Sequence, residues 1–309
     1  MKTIVVTGAT SMIGVATIRA CLRNGAQQVY AVVRPHCEKL HRLPKDERIT
    51  LVYCAADNYD ALPGMISTPC DVFYHIAWSL TGANRNGDLP EQINNVLYTL
   101  SAVNAASKLG CTKFVGAGSQ AEYGRLDVDS ISPCSPVNPV QPYGIAKYAA
   151  GKMAMEQCAR LGLSCLWVRI FSVYGIYDKP SSMVASSLKK MVDGLETQYT
   201  PAQQRWDYLF SEDAGEAFFL IGEQAVGQKV YCLGSGKAHP LKTYIEQMKA
   251  ATGATAPVNI GALAYPANVL MNLCADISSL KADTGFSPKT TFQEGIEKTI
   301  AWMRTKENA

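Results

Sequence analysis

The run Thr3-Ile4-Val5-Val6-Thr7-Gly8-Ala9-Thr10-Ser11-Met12-Ile13-Gly14 sets the architecture of this chain. Its first half is a β-branched strand. Its second half is a glycine turn that opens an amphipathic helical pattern over 12–24, closing on Gly25 where a helix end favours glycine. A strand passing through such a turn into a helix makes a phosphate cradle. Gly8 supplies the tight turn and Gly14 lets helix and strand pack closely, while the free N–H groups of Thr10, Ser11, Met12 and Ile13 can hold a pyrophosphate. Ser11 stands where the usual middle glycine would let backbone approach phosphate, and its hydroxyl is available to donate instead.

The same alternation continues outward. Apolar runs at 29–33, 49–53, 72–76, 113–115 and 166–170 alternate with longer stretches, of which 91–109 and 143–161 read as helices closing on Gly110 and Gly162. Continuous apolar strands suit a parallel sheet covered on both faces, so the α/β pattern predicts a doubly wound parallel Rossmann sheet. Beyond Gly175 the alternation fails, and a smaller C-terminal α/β substrate lobe is expected there. The division is residues 1–174 for the dinucleotide-binding domain, with 207–232 returning to it through a strand at 229–232. Residues 175–206 and 233–309 form the smaller lobe, with helices near 183–192, 240–252, 276–284 and 292–304.

At 309 residues and 48% hydrophobic composition the chain can bury a sizeable core, which excludes fibrous, disordered and disulfide-scaffold classes. A net charge of +3, from 29 basic and 26 acidic residues, gives no basic footprint for nucleic acid or an anionic membrane. The ten cysteines lack C-x-x-C pairs and nearby histidines in ligand spacing, so they read as reduced core fillers with no metal site. No leader pattern is present and no run reaches the roughly 18 apolar residues of a membrane span. A cytoplasmic protein with small-molecule partners is expected.

Two further stretches carry chemistry. Dinucleotide folds that take NAD usually place an acid after the second strand, on the ribose 2′-OH. Here the stretch reads Val33-Arg34-Pro35-His36, and Arg34 suits a 2′-phosphate. NADP is therefore the expected cofactor, with NAD as the alternative. Tyr143-Gly144-Ile145-Ala146-Lys147 opens the helix after the fifth strand, with tyrosine and lysine on one face. An ammonium about 4 Å from a phenolate is worth roughly 4 kcal/mol at an effective dielectric near 20. Lys147 is thus expected to lower the Tyr143 phenol towards a range useful for proton transfer.

The glycine turn, Ser119 after strand five, Tyr143 and Lys147 occur in the order of the short-chain dehydrogenase/reductases, and the chain resembles their extended subfamily of nucleotide-sugar epimerases, dehydratases and reductases. The likeness continues through His75-Ile76-Ala77, Asn95-Val96, Tyr123-Gly124, Arg169, Val173-Tyr174-Gly175, Arg205 with Asp207-Tyr208, Asp213, and Leu233-Gly234-Ser235-Gly236. The resemblance implies that Ser119 hydrogen-bonds the reacting sugar oxygen, that Tyr143 is the acid/base, and that Lys147 binds the nicotinamide ribose. It further implies cofactor contacts at Asp57 and Ala77, and substrate contacts at Ser119, Gln120, Glu122, Ser172 and Arg205.

Three departures narrow the reaction. Gln120-Ala121 replace the acid pair of the family's 4,6-dehydratases, and the loop from Gly118 through Ser119, Gln120, Ala121 and Glu122 to Tyr123-Gly124 is similar to that of GDP-4-keto-6-deoxymannose reductases. Trp78 replaces a small residue after His75-Ile76-Ala77. Ser172 replaces an asparagine. The expectation is an enzyme that reduces a 4-keto sugar on a nucleotide diphosphate with NADPH; the alternative is a nucleotide-sugar C4-epimerase holding NAD tightly. An alternative of another class, a non-catalytic NAD(P)-binding sensor protein, is disfavoured by the joint presence of Ser119, Tyr143 and Lys147. A serine hydrolase is disfavoured because Ala117 and Ala121 occupy the flanking glycine positions of a nucleophile elbow. The family pairs through helices matching 91–109 and 143–161, so a homodimer is expected, using Val96, Leu100, Val103, Ala149, Met153 and Met155.

Overall fold

The computed structural model describes residues 1–82, 84–267 and 269–307. The chain lays down β1 (Thr3–Thr7), β2 (Gln28–Val33), β3 (Ile49–Tyr53), β4 (Val72–His75), β5 (Lys113–Ser119) and β6 (Ser164–Ile170). Four short strands follow: β7 (Ser172–Tyr174), β8 (Thr197–Tyr199), β9 (Arg205–Trp206) and β10 (Tyr208–Phe210). Then β11 (Gln228–Leu233) returns to the edge of the first sheet, whose seven strands run parallel in the order β11-β6-β5-β4-β1-β2-β3. The order reverses between β1 and β4, the crevice where open α/β sheets bind ligands.

The helices are α1 (Met12–Arg23), α2 (Leu62–Met65), α3 (Leu89–Lys108), α4 (Pro142–Arg160), α5 (Met183–Val192), α6 (Ser211–Gln224), α7 (Leu241–Thr252), α8 (Ser278–Thr284) and α9 (Phe292–Glu307). Strand alternation sends Ile4 and Val6 into one core with Phe218 of α6, and Val5 into a second with Ala102 of α3 and Cys158 of α4. Helices α1 and α6 cover one face, α3 and α4 the other. A third core joins Leu188 of α5, Ile245 of α7 and Ile296 of α9. The residue-233 boundary is crossed: Leu280 of α8 and Phe286 are buried in the first core.

Strand β5 extends beyond the expected 113–115 to Ser119. Glycine in sequence reads as a break, but here Gly116 and Gly118 make room for the buried Trp167 of β6, which also packs on Gly151 of α4. This extension carries Ser119 to the carboxyl edge of the sheet. Helix α3 starts at Leu89 because the Asp88 side chain accepts from Glu91 N and caps it. Eight of the ten cysteines are buried and none is paired.

Candidate active site

A cleft of about 950 Å³ opens over the carboxyl ends of β1 to β4. Gly8, Thr10 and Ser11 line it. Gly8 has φ +67°, and a Cβ there would stand 2.7 Å from Ala77 N, so the turn after β1 can pass under the segment after β4 only as glycine. Ser11 caps α1, its Oγ accepting from Gly14 N at 3.0 Å, which leaves the hydroxyl proton free to donate. Of the other residues read as cradle, Met12 starts α1 outside the cleft, and Ile13 and Gly14 are buried in its first turn. Arg34, Asp57 and Ala77 all line the cleft. So does Arg42, which the sequence reading missed because it sits in an aperiodic loop. Its guanidinium donates to Thr10 O at 3.4 Å and its Nε is buried without a partner.

Trp78 also lines the cleft and contacts the residues read as catalytic. Its ring lies edge-on to Tyr143 at 6.2 Å, and its Nε1 donates to Gln92 at 3.0 Å. Burial holds the Tyr143 phenol above its ordinary value, opposed by the Ser119 hydroxyl and the Arg85 charge. Arg85 lies with its guanidinium carbon 5.0 Å from the Tyr143 ring centroid. The lowering expected from Lys147 is not found. The Lys147 ammonium instead donates to Ala117 O at 2.6 Å and packs 3.6 Å from the Trp78 ring centroid. Burial brings Lys147 down to about 7, against the pull of Glu122. Arg85 escaped the sequence reading because Asn84-Arg85-Asn86-Gly87 signals only a turn. That turn is tied down: Asn86 Oδ1 accepts from Tyr143 N, and Gln92 Nε2 donates to Arg85 O at 2.8 Å.

Gln120, Glu122, Ser172 and Arg205, read with Ser119 as substrate contacts, do not line the cleft. Glu122 is wholly buried, with Oε1 accepting from Ser119 N at 2.8 Å and Trp167 Nε1 at 2.9 Å, and Oε2 paired with Arg169 at 2.7 Å. With both oxygens so engaged, it holds Ser119 in place and presents no face to a sugar. Gln120 opens the turn behind Ser119. The Ser172 hydroxyl accepts from Trp206 Nε1 at 2.7 Å, and the exposed Arg205 donates to Ala238 O at 2.7 Å; neither lines the cleft. Asp207, buried, accepts from Ser235 N, Gly236 N and Ala275 N, and so fixes the loop after β11. Among the described residues no cluster could hold a metal ion, and no helix is long and apolar enough to cross a membrane.

The cradle at Gly8, the N-terminus of α1 and the orphaned Arg42 Nε fit a phosphate-bearing dinucleotide. Comparison with known proteins agrees with this geometry. The model of the NAD dependent epimerase/dehydratase family matches residues 4–234. A UDP-glucose 4-epimerase of Mycolicibacterium smegmatis is 26% identical over 99% of both chains. The structure of a UDP-glucose 4-epimerase from Thermotoga maritima with UDP-glucose superposes with a TM-score of 0.88 at 21% identity, covering 99% of each chain. That of a Bacillus cereus UDP-glucuronic acid 4-epimerase with UDP-glucuronic acid and NAD gives 0.85 at 21% identity, covering 98% of this chain and 99% of that one.

Proposed function

The chain belongs to the NAD dependent epimerase/dehydratase family, and we propose that within it this protein is an NADPH-dependent reductase of a 4-keto sugar carried on a nucleotide diphosphate. The observation that carries this reading is the end of β2. Arg34 follows Val33 where a ribose-binding acid would stand, and Arg42 faces the same cleft. Gly8, Thr10, Ser11 and Arg34 would hold a nicotinamide cofactor in the cleft, which would supply the hydride for the carbonyl carbon. Tyr143 gives its phenolic proton to the carbonyl oxygen, and burial keeps that phenol protonated at neutral pH. Ser119, held by Glu122 through its backbone N–H, acts to lower the Tyr143 phenol against its burial. Gln120 and Ala121 offer no acid or base for dehydration.

The test is turnover of 4-keto nucleotide sugars, followed by the near-ultraviolet absorbance of the reduced cofactor. Oxidation of NADPH in preference to NADH supports the reading. Formation of a 4-epimer with no cofactor added moves the protein to a second reading, C4 epimerisation through retained NAD. That reading is favoured by the full-length likeness to a UDP-glucose 4-epimerase.

The same proposal includes a homodimer. Leu89, Ile93 and Leu97 form an exposed apolar stripe along α3, beside exposed Ile145 and Met153 of α4. Val103, expected in this surface, is buried in the chain's own core, and Met155 packs against that core.

A further inference from the structure

We propose that Arg42 is the residue that makes this cleft discriminate for a phosphate on the adenosine ribose, and that Tyr177 holds it in position. The inference rests on the nicotinamide-cofactor reading above and assigns its specificity to residues of two segments far apart in the chain.

Arg42 ends the single turn Leu40–Arg42 that follows β2. Its guanidinium is held from two sides. One side is the glycine turn, through the hydrogen bond to Thr10 O at 3.4 Å; the other is the ring of Tyr177, whose centroid lies 4.9 Å from the guanidinium carbon. Neither contact is a carboxylate. Arg42 Nε stays buried without a partner even though Glu38 lines the same cleft. Leaving a buried donor unpaired costs stability. An arginine that only braced the loop would turn to the nearby acid. An arginine kept for an anionic ligand carries no carboxylate partner, and its planar fork suits a phosphate better than a lysine would.

Tyr177 explains how the orientation is kept. It lies in the segment between β7 and α5 and has φ +69°, a left-handed conformation that is strained for a bulky residue and is retained where surrounding packing enforces it. Its ring is edge-on to Trp302 of α9, with centroids 5.2 Å apart at 81°. The flat face left to Arg42 is therefore set by the C-terminal helix, while Arg34 approaches the same cleft from the end of β2.

The experiment is calorimetric binding of NADP+, NAD+ and adenosine 2′,5′-bisphosphate to the full chain and its variants. Arg42→Met keeps an apolar stem against Tyr177. It is expected to weaken NADP+ and the bisphosphate by roughly tenfold or more while NAD+ changes less than about twofold. Arg42→Lys keeps the charge but loses the fork, and should lose part of the same preference; it serves if the methionine variant does not fold. Tyr177→Leu removes no charge and should weaken NADP+ selectively, which a purely structural role would not do. A wild-type protein that binds NAD+ as tightly as NADP+ overturns the cofactor reading itself. A wild-type protein that prefers NADP+, with an Arg42→Met variant that prefers it equally, overturns the assignment of Arg42 alone.

Discussion

The Lys147 ammonium lies 3.6 Å from the centroid of the Trp78 ring and donates to Ala117 O at 2.6 Å. Burial is the largest influence on this lysine and brings it down to about 7. In the unfolded chain it titrates near 10.5. Between those values the unfolded state binds a proton that the folded state does not, so this group's contribution to stability falls as pH drops from 10.5 to 7 and is constant below.

Replacing Lys147 by methionine should therefore stabilise the protein at pH 7, by up to about 5 kcal/mol at 1.4 kcal/mol per pH unit. The gain should vanish by pH 10.5. Urea unfolding at both pH values checks this, and a variant less stable than its parent at pH 7 contradicts it.

Tyr143→Phe should preserve fold and cofactor affinity while reducing turnover by about two orders of magnitude or more. Because Arg85 opposes the burial that raises the phenol, Arg85→Gln should move the alkaline limb of the kcat/KM profile further up. Glu122, which acts in the opposite sense on that phenol, remains in place in this variant. An unmoved limb would remove Arg85 from the account.

Glu122 and Arg169 form an ion pair whose side chains are only 1% and 5% exposed. Removing one partner leaves the other buried and unpaired, so Glu122→Ala should cost about 3–5 kcal/mol. Glu122→Gln keeps an acceptor for Ser119 N and Trp167 Nε1, and should lose less. Equal losses in the two variants, measured by chemical denaturation, would deny the charge its part.

Ile93 is 62% exposed at the centre of the α3 stripe. Ile93→Glu should convert a dimer to a monomer by light scattering, with an unchanged far-ultraviolet spectrum. A wild-type protein that is monomeric at micromolar concentration removes the dimer.

The sheet was legible because its strands are β-branched or aromatic runs and α1, α3 and α4 each stop at a glycine with positive φ, at Gly25, Gly110 and Gly162. The extension of β5 was not, because glycines at 116 and 118 mean a break until Trp167 is placed against them. Within the site, Ser119 at the end of β5 bears on the Tyr143 phenol. The contacts of Lys147 with Ala117 O and the Trp78 face are ones its helical register does not signal. Glu122 is claimed by Arg169, fully 47 residues away, a pairing no local pattern signals. Arg42 and Arg85 sit in loops without period, so only the folded chain brings Arg42 to the cleft and Arg85 over the Tyr143 ring.

The central claim is a reductase that exchanges NADP(H) at each turnover, and the nucleotide carried by freshly purified protein tests it most directly. The protein should be denatured before and after dialysis and the released nucleotide identified by chromatography and mass. The account predicts little retained nucleotide after dialysis, a preference for NADPH on adding it back, and loss of that preference in Arg34→Asp. Stoichiometric NAD that survives dialysis, with conversion of a nucleotide sugar in the absence of added cofactor, would contradict it.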